Sequence, residues 1–141
     1  MRLKTILVLT ISLMFTTSFA WAGVKILSIT GKWEVESTGG MMMNAEKESD
    51  ATHWTPGQKV LKGQLDFQTQ DGRFLTGVYT SQRGAEKFIA MISMDGKTIY
   101  ASDTDGFFDC KIVNKDTLEI VYRHAKPTDS VVATGIAKRQ K

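Results

Sequence analysis

The sequence predicts an all-β domain, an eight-stranded antiparallel up-and-down β-barrel, and three observations carry that prediction. Turn pairs recur at regular spacing: Asp71-Gly72, Arg83-Gly84, Asp95-Gly96, Asp105-Gly106, then Asn114-Lys115-Asp116 and Lys126-Pro127-Thr128-Asp129. Between them lie short segments that alternate apolar and polar residues, the period of a strand with one buried face. No stretch carries the apolar spacing of a long amphipathic helix, and the two prolines, Pro56 and Pro127, both fall in loops. A β-sandwich is the competing architecture, but eight strands in sequence order hide both sheet edges by closing on themselves.

In chain order, the first element is a leader. Arg2 and Lys4 precede an apolar run from Ile6 to Phe19 broken only by Ser and Thr, and Ala20-Trp21-Ala22 supplies small residues at the two positions a signal peptidase reads. Residues 1–22 are therefore expected to be a cleaved signal peptide and residues 23–141 a single barrel domain that is periplasmic or secreted. The apolar run falls short of the roughly 20 residues of a spanning helix, and no second one follows. No Cys stands at the cleavage point to accept a lipid. Cys110 is the single cysteine, so no internal disulfide forms and the hydrophobic core must carry the fold.

The predicted strands are Lys32–Ser37, Gln64–Gln70, Phe74–Thr80, Glu86–Met94, Thr98–Thr104, Phe107–Val113, Thr117–Arg123 and Val131–Ala137. Strand parity puts the turns at 71–72, 95–96 and 114–116 at one end, which is closed. The long connection Thr38 to Gly63, the loops at 81–85 and 105–106, and the segment 124–130 gather at the other end, which is the mouth of any pocket. In the fourth strand Phe88, Ala90, Ile92 and Met94 form one face, while Ile89 and Met91 make the second face apolar too. Both sides are expected to be covered, the outer one by a partner or a second copy.

Of the 18 basic residues, two lie in the leader, which holds none of the 15 acidic ones, so the rest of the chain is close to neutral. Such a domain offers no general field for nucleic acid. No phosphate loop, nucleophile elbow or zinc spacing is present, so neither enzyme activity nor a cofactor is expected.

Gly31-Lys32-Trp33 opens the first strand, and Lys138-Arg139 ends the last one at the same, closed end. This pairing resembles the calycin superfamily of lipocalins and avidins, which implies an indole, Trp33, covered by a basic side chain, Arg139, as the barrel's structural floor. The segment Gly72-Arg73-Phe74-Leu75-Thr76-Gly77-Val78-Tyr79 is similar to an avidin strand pattern with one residue inserted, which marks Tyr79 as a ligand-facing position. Val35 stands where avidins have Asn, and Trp33 and Trp54 are the only tryptophans after the leader, so biotin binding is not expected. The stretch from Thr76 to Arg123 also resembles small exported bacterial barrel proteins.

By alternation the inward residues are Val35, Leu65, Phe67, Tyr79, Phe88, Phe108, Leu118, Ile120 and Tyr122, with Leu75 and Tyr79 competing against Phe74 and Val78 for the inner face of the third strand. The leading expectation is a small molecule, apolar or amphipathic, held in the barrel by Val35, Phe67, Tyr79, Phe88, Phe108 and Tyr122, with Trp54 at the mouth. The alternative is a protein-interaction module, such as an inhibitor of an exported hydrolase, working through the projecting 38–63 loop with Trp54 as an aromatic anchor. Met41-Met42-Met43 with His53 offers donors suited to Cu(I) but matches no defined metal site, and the methionines read as an apolar lid in the mouth loop. Cys110 alternates with Phe108 and Ile112 and should be buried and inert. His53 and His124 read as partly exposed, and Asp103 and Asp105 as turn-forming carboxylates.

Overall fold

In a computed structural model, residues 25–44 and 54–141 are described. The leader, with its cleavage site, and His53 lie outside the described residues. Eight antiparallel strands close into one barrel in sequence order: β1 Gly31–Met43, β2 Val60–Asp71, β3 Phe74–Ser81, β4 Gly84–Ile92, β5 Thr98–Ser102, β6 Phe107–Asn114, β7 Thr117–Ala125 and β8 Asp129–Arg139. The sandwich is thereby excluded. No helix among the described residues is long and apolar enough to cross a membrane.

The first and last strands are longer than alternation alone predicts. β1 meets β8 in a continuous ladder from Trp33↔Arg139 to Met43↔Asp129. Pairing therefore carries β1 through Gly39 and Gly40, where side-chain patterning is silent, and Met41–Met43 belong to the strand rather than to the mouth loop. Conversely, β4 ends at Ile92 because Ser93, Asp95 and Lys97 build the following turn through the Ser93 hydroxyl and the Asp95 carboxylate, and β5 ends at Ser102, where the Asp103 carboxylate caps the next turn. β4 pairs with β5 only from Ile89 to Ile92, although it pairs with β3 from Ser81↔Gly84 to Phe74↔Met91. Among the described residues, the segment Gly84–Phe88 thus has a paired strand on one side only.

Below the mouth the barrel is solid. Trp33, Phe67, Phe88 and Phe108 run across it as a ladder of edge-to-face rings, with centroids 6.5, 5.2 and 5.1 Å apart. Leu75, Ile92, Ile99, Cys110, Leu118 and Ala137 fill the space around them. Phe67 and Phe88 are consequently core rather than pocket wall. Leu75 and Tyr79 take the inner face of β3 while Phe74 turns outward. Gly77, on the same inner face, lets the Phe88 ring lie against the strand: a Cβ there would stand 2.4 Å from Phe88 Cζ and 2.3 Å from the Asp66 carbonyl oxygen.

The closed end is sealed by residues 25–30, which cross beneath β1. Ile29 is fully buried, and its carbonyl accepts from Trp33 Nε1 at 3.0 Å. The Gln70 side chain clamps this segment, accepting from Ile29 N and donating to the Leu27 carbonyl. The Arg139 guanidinium lies 4.2 Å from the Trp33 ring centroid and donates to the carbonyls of Ser28, Thr30 and Lys115. One planar cation thus ties together the N-terminal segment, the β6–β7 turn and the last strand.

Candidate functional site

At the mouth the strands spread and the packing changes. Trp54 belongs to no strand, yet its indole is only 2 % exposed: it drops into the barrel and packs on Leu61, Val131 and Ala133, with Met41, Tyr79 and Tyr122 beside it. Beneath it lies a cavity of about 40 Å³, room for a few waters. Its lower wall is apolar, from Val35, Leu65, Phe108 and Ile120, and its polar groups come from Ser37, Tyr79, Asp103 and Tyr122. Gly63 makes room for the Tyr79 ring, since a Cβ there would meet the phenol oxygen at 2.4 Å.

Of the residues the sequence marks, Val35, Trp54, Tyr79, Phe108 and Tyr122 come together around this chamber, and Leu65 and Ile120 join them. Phe67, Phe88 and Leu118 do not, because they fill the lower core. Trp54 is buried in the mouth and does not project from the loop as the anchor reading has it. The burial of its indole in the mouth depends on how a segment outside any strand docks, which no alternation pattern encodes.

A polar network frames one side of the chamber, and alternation could have found half of it. His124 is buried, not partly exposed: β7 continues to Ala125, so His124 follows Leu118, Ile120 and Tyr122 on the inner face. Asp105, despite its turn position, reaches inward to accept from Tyr122 Oη at 2.9 Å and Lys126 Nζ at 2.7 Å. Burial pushes the Asp105 carboxyl up, but these donors outweigh it and hold the group below the usual carboxylate range. Since the Tyr122 proton is committed to Asp105, the phenol oxygen must accept from His124 Nδ1, 3.0 Å away. His124 Nε2 then faces Asp129 Oδ1, and Asp129 Oδ2 accepts from the Thr128 hydroxyl. Both His124 and Asp129 side chains are wholly buried.

Asp103 behaves differently. Its Oδ1 caps the turn by accepting from the amides of Asp105 and Gly106, at 3.2 and 2.6 Å. Its second oxygen takes part in no hydrogen bond found among the described residues. Burial pushes this carboxyl up, and Asp105 and Glu86 add to the shift while the two amides oppose it. Glu86 accepts from the Thr104 hydroxyl across the unpaired stretch of β4. Glu86, Asp103 and Asp105 each bring an oxygen within 4.8 Å of the others. The phenols respond to the same field: Tyr79 is pushed up to about 12 by burial and Glu86, and Tyr122 upward by burial and the surrounding carboxylates.

Met42 points outward while Met41 packs beneath Trp54, so the triplet does not converge on one ion, and His53 lies outside the described residues. Met94, expected on the inner face of the fourth strand, lies beyond the end of β4 and is exposed, while Ile89 and Met91 on the outer face form an apolar patch with Phe74, Tyr100 and Phe107 across β3 to β6, the surface the sequence offers to a partner or a second copy. Cys110 is fully buried, and desolvation pushes its thiol up, out of reach of thiolate chemistry.

No protein-family profile matches the chain, and no curated protein does. Among solved structures, two eight-stranded barrels align with it. One is a redesigned beta barrel, b11L5F_LGL, with a TM-score of 0.52, 13% identity, and coverage of 79% of this chain and 91% of that one. The other is the barrel EF1p2_mFAP2b bound to DFHBI, with a TM-score of 0.52, 14% identity, and coverage of 79% and 93%. At such identities the likeness is one of fold, and the chain is a small closed β-barrel of that architecture.

Proposed function

We propose that this chain is an exported small-molecule binder whose site is the chamber under Trp54, and that binding displaces the indole. The observation that carries the reading is the chamber itself. An apolar floor of Val35, Leu65, Phe108 and Ile120 meets convergent polar groups on one wall, the combination that orients small ligands in barrel mouths. At about 40 Å³ the chamber is far smaller than the roughly 300–1,000 Å³ of ligand pockets. The ligand therefore takes the place of Trp54, whose neighbours Leu61, Val131 and Ala133 become its walls. That a barrel of similar fold is bound to DFHBI supports the idea that the architecture accommodates a small molecule. The Trp33–Arg139 floor supports relating the barrel to the calycins, and the leader supports a periplasmic or secreted location.

Native mass spectrometry of the protein, gently purified from an exported fraction, tests the reading. A surplus mass lost on denaturation and absent from a Tyr79→Ala variant is expected. A bare chain that also fails to take up a neutral polarity-sensitive dye overturns it.

A further inference from the structure

The chamber under Trp54 is more specific than an apolar hole, and we infer that its ligand is a small aromatic amine: the ring replaces the Trp54 indole and the ammonium pairs with Asp103. This inference rests on the binding function proposed above and adds the chemical class.

The plug shows what the upper chamber accepts. The Trp54 indole, a flat aromatic of two fused rings, is packed there against aliphatic side chains and beside Tyr79 and Tyr122. A free ligand of similar shape takes up the same contacts. The wall below it sets the charge. Asp103 lines the chamber, its Oδ1 is committed to the turn, and its other oxygen is uncommitted among the described residues. Glu86 and Asp105 stand close by. Opposing them, the Lys126 ammonium is bound to Asp105, and the Arg83 guanidinium is turned to the Trp54 carbonyl at 3.5 Å. His124 and Asp129 pair with each other, both side chains wholly buried. Among the described residues the balance on the Asp103 side is negative, three carboxylates against two cations, beside an apolar chamber.

Such a wall repels a carboxylate or phosphate and attracts an ammonium, which a carboxylate binds through a charge-assisted hydrogen bond. The Tyr79 and Tyr122 rings reinforce that choice, because aromatic faces attract a cation. Neither phenol supplies negative charge of its own at neutral pH, since both hold their protons more tightly than free tyrosine.

The test compares three probes of one ring system, tryptamine, 3-methylindole and indole-3-acetate, titrated calorimetrically into the wild-type protein and into Trp54→Ala, which empties the upper chamber. Trp54→Leu serves if the alanine variant does not fold by circular dichroism. Tryptamine is expected to bind about tenfold or more tightly than 3-methylindole, the range set by one hydrogen bond to a charged group, with indole-3-acetate the weakest. Asp103→Asn should erase the preference while keeping the turn, because the amide oxygen still accepts from Asp105 and Gly106. Equal binding of the three probes, or a preference that survives Asp103→Asn, overturns the amine assignment and leaves the chamber as a binding site. Absence of binding by all three to both proteins overturns the chamber and the amine together.

Discussion

Asp103 and Asp105, two residues apart, have opposite electrostatic situations, and pH separates them. Asp103 holds its proton to higher pH in the fold than in the unfolded chain, chiefly because it is buried, so its ionisation works against folding once the unfolded group has titrated. Asp103→Asn should therefore raise the urea midpoint at pH 7, and the gain should vanish near pH 3, where the carboxyl is protonated in both states. Asp105 has the reverse sign: it adds stability above its ordinary titration range and loses it as pH falls through its depressed folded value. Asp129 is the third case. Replacing it with Ala leaves the buried His124 ring without its partner, which typically costs about 3–5 kcal/mol and should appear as a lower midpoint in equilibrium unfolding. These environments were only partly legible in the sequence. Alternation from Leu118 to Tyr122 reaches His124 when extended by one step, but nothing in the spacing announces that Asp129 closes over it from the other side of a turn.

Among the elements, β3 and β4 show where the sequence speaks clearly and where it does not. The inward positions of β4, Phe88 and Ala90, follow from a period of two, and the Phe88 ring fits because Gly77 faces it across the strand pair. Gly77→Ala should cost about 1–3 kcal/mol, the range for overpacking, and more if the Asp66 carbonyl is forced to move. Thermal unfolding measures it, and an unchanged midpoint would mean that the pair repacks freely. Strand ends were the illegible part: β1 runs to Met43 because β8 pairs with it, and β4 loses its partner at Phe88 because β5 is short. That second fact has its own signature. Amides of Ala85–Phe88 that point toward β5 should exchange with solvent faster than those pointing toward β3, by the margin between local opening and global unfolding. Equal protection on both sides would mean that the gap is closed in solution.

For the whole molecule, the closed barrel and its polarity of ends were readable from turn spacing and strand parity, whereas the filled lower half and the Trp54 plug depend on how side chains from distant strands meet. The floor makes stability a global property, because the Arg139 side chain joins the N-terminal segment, the β6–β7 turn and the last strand at that end. Arg139→Ala should lower stability by about 2–3 kcal/mol, from the lost ring contact and the carbonyls left without their charged donor. Cys110 provides the readout. Its thiol is shielded in the native barrel, so its labelling rate at neutral pH reports opening and should rise by about 30-fold or more for a loss of this size. An unaltered rate would show that the floor opens independently of the core.

The longest ladder of the barrel joins its first strand to its last, Trp33 to Arg139 at one limit and Met43 to Asp129 at the other. Synthesis delivers a chain N-terminus first, so β1 must wait, with one hydrogen-bonding edge open, until nearly all of the polypeptide has arrived. During that interval the edge offers itself to any other unfinished copy, the vulnerability that slow, non-local topologies share. The time spent unfinished, more than the stability of the finished barrel, then sets how much of the protein survives its own biogenesis.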